Sequence, residues 1–382
     1  MKCIENGRML LDGQFVEGKA ILFEDTIQKI IDQKDVAKEV IDEHIDAAGK
    51  YIVPGFIDVH IHGYKGYDTM DGDLEGLRTI SRLIPENGVT SFLPTTMTMD
   101  APIIRQALHT IQTIMDDKSY GAEVLGTHLE GPFISETFKG AQSATYIQKP
   151  TGAVIEGYES IIKIITIAPE LEGALPFIEA YKNKYGIQFS MGHSEATYDE
   201  AMKGVEAGVC SCTHMFNAMT GLHHRQPGVV GAAMNSDVYC ELIADTIHVN
   251  PALFSLIARI KGMHKILLIT DAMMGAGLED GEYNLGGQKV YLKGGKCMLS
   301  NGTIAGSSLK LNKAVYHFTQ YTEYDLAKVI DLVTINQAKY IGVEDRKGTL
   351  DTGKDADIVI LDDQLDIYYT MGKGKKLYEK SN

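Results

Sequence analysis

Apolar residues recur along the chain in short runs, and the spacing between runs changes with position. Over roughly the first fifty residues the runs are brief and split by tight turns. Asn6-Gly7 and Asp12-Gly13 read as hairpin connections, and Ala20–Phe23 and Ile27–Ile31 continue the strand pattern. The last forty or so residues read the same way: Asp357–Leu361 forms one strand, and Ile367–Thr370 and Lys375–Tyr378 flank Gly372 and Gly374. Neither end is long enough to hold a core of its own. The two are therefore expected to pair, giving one small β-sandwich domain from residues 1–53 and 345–382.

Residues 54–344 follow a different rhythm, in which apolar strand-like runs alternate with helical patterns. The runs are Ile52–His60, Thr90–Pro94, Glu123–His128, Ile161–Ala168, Ile187–Met191, Cys210–His214, Tyr239–Ala244 and Lys265–Thr270. Such alternation predicts an α/β fold with a parallel sheet and crossover helices, and eight runs fit a (β/α)8 TIM-like barrel. A Gly-rich, hairpin-like stretch, Gly275–Gly302, follows the last run, and a helix beginning near Ser307 is expected to close the barrel.

Polar residues fall at the ends of these runs. His60 and His62, Glu130, His193, His214 and Asp271 end the first, third, fifth, sixth and eighth. In a barrel all strand C-termini converge on one face, where active sites lie. A single His near a strand end is usually a satisfied polar residue; five coincident ends are poorly explained that way. In Asp58-Val-His60-Ile-His62, alternation puts the three polar side chains on one face. Set beside His193, His214, Glu130 and Asp271, the two imidazoles make a mixed nitrogen and oxygen donor set, suited to Zn²⁺ or Fe²⁺ rather than Ca²⁺ or Mg²⁺. His128 shares a strand face with Glu130 and is a candidate to support it. His44, His109, His264 and His317 lie away from strand C-termini and receive no role.

Charge narrows the partners. With 36 basic and 51 acidic residues the net charge is −15, which repels nucleic acid and anionic membranes. An anionic substrate would need a local basic cluster, and His223-His224-Arg225 is the compact one that follows a ligand-bearing strand. The five cysteines form no framework, which fits a reducing cytoplasm, and Cys210 and Cys212 read as core. No apolar run approaches the roughly 18 residues that span a bilayer, and the start of the chain has no signal-peptide pattern.

PGFIDVHIHG, HLEGPF, GHS, THMFNAM, the HHR at 223–225 and ITDAM together resemble the amidohydrolase superfamily, and within it the N-acetylglucosamine-6-phosphate deacetylase family. The likeness runs over essentially the whole chain, including the closing KGTLDTGKDADIVILD. It implies that Glu130, His193 and His214 hold a primary divalent metal, that His60 and His62 hold a second where one exists, and that Asp271 is the catalytic acid/base. It also implies that Ala141, Gln142, Asn217, Ala218, Arg225, His248, Ile304, Ala305 and Gly306 meet an amino-sugar phosphate, with His248 also catalytic. A cytoplasmic homodimer with Zn or Fe, one or two per subunit, is implied too. The chemistry agrees: amide hydrolysis needs an activated water, a polarised carbonyl and a proton for the leaving amine, which a metal and a neighbouring carboxylate supply.

Two positions depart from the family pattern. Gln142 stands where Lys-Gly-Ala is usually followed by His, and Thr246 where the D-G-x-H segment usually has Gly. Both lie on the substrate side. Cyclic-amide hydrolases of the superfamily use a carboxylated Lys at the end of the fourth strand; IIKIITIAPE ends without one, Lys163 lying too early. Deaminases share the metal set but not HLEGPF or THMFNAM. A non-catalytic assembly protein would have lost ligands, and all six candidates are present.

Overall fold

The computed structural model describes residues 1–117 and 121–381. Eight parallel strands surround the core: β1 (Phe56–Ile61), β2 (Val89–Pro94), β3 (Thr127–Glu130), β4 (Ile162–Ile167), β5 (Gln188–Met191), β6 (Val209–Cys212), β7 (Tyr239–Ile243) and β8 (Ile266–Ile269). β1 pairs with β2, and β3 to β8 form one sheet in chain order. Parallel bridges Thr95–His128 and Ile61–Ala272 join the two pieces, giving a TIM-barrel-like ring. β1, β2, β3 and β8 are buried at every position, which is why they read as continuous rather than alternating apolar runs.

Local signals set the helices between strands. Asp73 accepts from the amides of Glu75 and Gly76 to start Leu74–Leu83, and Thr197 and Glu200 form a capping box on Tyr198–Ala207. Gly186, at φ 70°, ends Ala174–Tyr185. Between β3 and β4 there is no α-helix, two 3₁₀ turns (Ala144–Tyr146 and Gly152–Val154) taking its place. Pro150, Gly152 and Gly157 punctuate that stretch and disfavour a longer helix.

Several expectations shift. The third run is split: Glu123–Val124 pairs with β2, and Gly126, at φ 141°, resets the chain before β3. The helix after β8 begins at Leu311 rather than near Ser307. Ser307 instead joins the barrel mouth, its amide donating to the Asp271 carbonyl at 2.7 Å. The Gly-rich stretch forms a three-stranded antiparallel sheet, Gly281–Leu285, Gln288–Lys293 and Lys296–Met298. Cys212 is core, whereas Cys210 is half-buried.

The two ends of the chain do pair. Ile358–Leu361 lies antiparallel to Tyr51–Pro54 in a sheet that also holds Arg8–Leu11, Gln14–Val16, Ile367–Gly372 and Lys375–Glu379. A second sheet contains Lys2–Glu5, Lys19–Phe23, Ile27–Asp32 and Glu43–Asp46, and one apolar cluster with Ile4, Ile21, Phe23, Ile52, Ile358 and Ile360 is shared by both. Asp12-Gly13 is a two-residue hairpin with both residues at positive φ. Asn6-Gly7 is not: Lys2–Glu5 and Arg8–Leu11 belong to different sheets. Gly7 is needed for close packing, since a Cβ there would sit 2.6 Å from Ile52.

A buried ion network fastens Glu123 to the C-terminal segment. Lys347, 1% exposed at its side chain, lies 2.6 Å from Asp357, 2.7 Å from Glu123 and 2.9 Å from Asp355. Arg346 pairs with Glu123 and Asp355 as well. Burial alone would raise the Glu123 carboxyl, but Lys347 and Arg346 outweigh it and hold it down at about 2. Lys347→Met keeps the buried stem and removes the central charge. Loss of one partner of a buried network costs about 3–5 kcal/mol, and urea unfolding should show a loss of that size. A loss below about 1 kcal/mol would mean that Arg346 suffices.

Candidate active site

The C-terminal ends of the strands bring the chosen residues together. Glu130 sits at the centre: its Oε1 is 3.0 Å from His214 Nε2, 3.2 Å from His193 Nε2 and 3.5 Å from His60 Nε2, and its Oε2 is 3.5 Å from His62 Nε2. Asp271 Oδ1 stands 3.2 Å from His62 Nε2 and 3.6 Å from His60 Nε2. All of these side chains are buried. His193, His214 and Asp271 take left-handed φ values of 47°, 30° and 50°. Such values are uncommon outside glycine and cluster where function requires them.

Each histidine offers Nε2 to the centre. The opposite nitrogen, Nδ1, meets Glu241 Oε2 in His60 (2.9 Å), the Thr95 carbonyl in His62 (3.2 Å) and the Phe138 carbonyl in His193 (2.9 Å). Those acceptors hold the proton on Nδ1 and leave Nε2 free to ligate. His60 Nε2 is buried with no hydrogen-bond partner among the described residues.

The donors fit a metal. Among the described residues, two three-residue sets share Glu130: Glu130, His193 and His214, and His60, His62 and Glu130. His193 Nε2 and His214 Nε2 lie 3.1 Å apart, near the roughly 3.3 Å edge of a tetrahedron with metal–nitrogen bonds of about 2.0–2.1 Å. The carboxylates of Glu130, Asp271 and Glu241 are buried together, and the cavity wall contains no Lys or Arg among the described residues. Without a cation the imidazoles must carry the compensating charge. Burial opposes the charged form of His60, yet Glu241, Asp271 and Glu130 push it up to about 10. Burial likewise opposes ionisation of Asp271, but His60 and His62 hold it at about 2, and Glu130 is held well below its ordinary value.

Around this centre the cavity is lined by Ala141, Gln142, Asn217, Ala218, His248, Ile304 and Gly306. Ala305 is fully buried behind the wall. Gln142 is committed inward: its Nε2 donates to Glu130 Oε2 at 2.7 Å, and its Oε1 accepts from the Thr98 amide at 2.7 Å. His248 is oriented by Asp245, whose Oδ2 is 2.6 Å from His248 Nδ1. Thr246 stands at φ 68°, a strained value for a β-branched residue and a physical reason for Gly to be usual there.

Arg225 does not reach the cavity wall. The chain leaves the wall at Asn217 and Ala218, and residues 221–225 are exposed. His128 does not touch Glu130 through a hydrogen bond. It meets the Val59 carbonyl and Thr166 Oγ1 and packs edge-on against His60. Sequence reasoning missed Glu241 and Asp245. Glu241 had a signal, a carboxylate inside an apolar strand run, which buries only with a partner.

Residues 51–377 match the amidohydrolase family, and the chain belongs to it. It is 40% identical over 346 residues to N-acetylglucosamine-6-phosphate deacetylase of Bacillus subtilis (strain 168), covering 88% of this chain and 87% of that one. The crystal structure of N-acetylglucosamine-6-phosphate deacetylase from Pasteurella multocida superposes with a TM-score of 0.93 at 29% identity over 100% of both chains. A mutant of the Mycobacterium smegmatis enzyme in complex with N-acetyl-D-glucosamine-6-phosphate superposes with a TM-score of 0.90 at 26% identity, covering 98% of this chain and 99% of that one.

Proposed function

We propose that the protein is a metal-dependent deacetylase that hydrolyses N-acetylglucosamine 6-phosphate to glucosamine 6-phosphate and acetate, in amino-sugar catabolism or cell-wall recycling. The observation that carries this is the Glu130–His193–His214 donor set with Asp271 beside it, at the mouth of a barrel related to deacetylases over most of its length. Glu130, His193 and His214 would hold the primary ion, and His60 and His62 would hold a second. The nitrogen and oxygen donors favour Zn or Fe. When bound, such an ion polarises an acyl oxygen and acidifies water.

The chain's own residues do the rest. Asp271 takes a proton from the attacking water as its oxygen bonds to the acetyl carbon. Asp271 then returns the proton to the amine nitrogen as the carbon–nitrogen bond breaks, so acetate and a free amine leave together. His62, 3.2 Å away, fixes the Asp271 carboxylate. Asp245 fixes His248, whose Nε2 serves the acetyl carbonyl or a sugar hydroxyl. Gln142 holds Glu130 in place. Asn217, Ala218, Ile304 and Gly306 shape the sugar site, and a Cβ on Gly306 would press to 3.2 Å on the Asp271 carbonyl.

The same reading includes a cytoplasmic homodimer with a small β domain (1–53 and 345–382) beside the barrel (54–344). No helix among the described residues is long and apolar enough to cross a membrane.

Arg225, on the exposed loop that follows Ala218, is the phosphate contact in this reading. Arg225→Ala should weaken use of the phosphorylated sugar by about one to two decades, since a charge-assisted hydrogen bond is worth about 1.5–3 kcal/mol. The unphosphorylated sugar should be nearly unaffected. Initial rates of acetate release on both sugars check this, and equal losses would make Arg225 structural. Comparing N-acetylglucosamine, its 6-phosphate and N-acetylgalactosamine 6-phosphate on the unaltered protein tests the substrate itself. Preference for a non-phosphorylated sugar would overturn it.

A further inference from the structure

Glu241 lies inside β7, fully buried, and its carboxylate is unevenly used. Oε2 accepts from the His214 backbone amide at 3.2 Å and lies 2.9 Å from His60 Nδ1; Oε1 has no hydrogen-bond partner among the described residues. Burying a carboxylate with one oxygen unsatisfied is expensive, and an apolar side chain would fill the same space at lower cost. A carboxylate, however, only accepts hydrogen bonds. Beside His60 it holds the proton on Nδ1 and leaves the Nε2 lone pair directed at the centre, where Glu130 and Asp271 stand 3.5 and 3.6 Å away. An amide in its place can present either end and so fixes neither tautomer.

The other candidate metal ligands lack such a partner; His248, which has Asp245 behind it, is not one of them. His62 and His193 rest on neutral backbone carbonyls, and His214 Nδ1 has no hydrogen-bond partner among the described residues. His60 is thus the candidate ligand with a charged acceptor behind it. The grouping of His60, His128 and Glu241 does not make a separate cation site, because both nitrogens of His128 are engaged by Val59 and Thr166.

We propose that Glu241 is a positioning residue for the second metal subsite: through His60 it sets the affinity of the His60/His62 pair for a divalent ion. Its hold on the His214 amide anchors the carboxylate and keeps it from turning away. The inference rests on the reading of His60 as a metal ligand. Loss of a partner that orients a metal-bound histidine typically weakens binding about 10–100-fold.

The test uses the full chain, stripped with a chelator and dialysed against Zn²⁺ buffers of graded free concentration, with zinc per chain measured by mass spectrometry. The unaltered protein should reach two equivalents. Glu241→Gln should need about 10–100-fold more free Zn²⁺ to fill the second, with the first unchanged. Glu241→Leu, which relieves the buried charge, should show the same selective loss. The melting temperature of the stripped chain should then rise with Zn²⁺ less in both variants than in the unaltered protein. A variant that melts lower when stripped yet binds both equivalents normally would make Glu241 a packing residue and overturn the proposal. His60→Ala separates the two claims. If it loses the second equivalent and neither Glu241 variant does, the role of Glu241 is wrong. If it retains two equivalents, or the unaltered protein binds one, the reading of His60 fails as well.

Discussion

Asp271→Asn is expected to lower kcat by about 10²–10⁴-fold, the usual contribution of a positioned acid/base, while the primary metal stays bound. Asn keeps the size and shape of Asp but cannot accept a proton from water. With its carboxyl held at about 2, Asp271 is ionised near neutral pH, as a base must be. Glu130, His193 and His214 form their own donor set and are untouched by the change. The sugar and its phosphate are held elsewhere, so KM should move less than kcat. Steady-state kinetics with metal analysis on the same sample checks this. Near-normal kcat with metal bound would assign the proton transfer to another group, and His248 would be next.

Removal of a primary ligand is expected to have a larger effect. Glu130→Ala, His193→Ala and His214→Ala should each lose the primary metal and reduce acetate release to background, because each supplies one of few donors. Glu130 should be the most severe, since both donor sets contain it. His60→Ala with His62→Ala should remove the second ion alone. Stoichiometric metal retained in all three single variants would refute the ligand assignment. Complete loss in the double variant would mean that the ligands form a single site.

The barrel and its chemistry were legible because both are written at strand ends. A strand buried on both faces stays apolar until its C-terminus, so a His, Glu or Asp there stands out, and five such ends converge by topology alone. What was not legible depends on three-dimensional pairing. Asn6-Gly7 has hairpin composition, yet the flanking strands go to different sheets. Gly126 breaks a run that looks continuous. Gln142 lines the cavity, but nothing in its place after Lys-Gly-Ala shows that Thr98 fixes its amide and aims it at Glu130. Arg225 lies in a loop just after the wall residues, and chain order alone does not show that this loop is exposed. Glu241 and His60 are 181 residues apart, and no local pattern links them.

The most direct measurement of the central claim is the stoichiometry of products from N-acetylglucosamine 6-phosphate. Acetate and free primary amine should appear in a one-to-one ratio with zinc- or iron-loaded protein. Both should vanish after chelation and return when the metal is restored. Release of acetate at the same rate from the chelated protein, or loss of substrate without acetate and amine in equal amounts, would contradict the account.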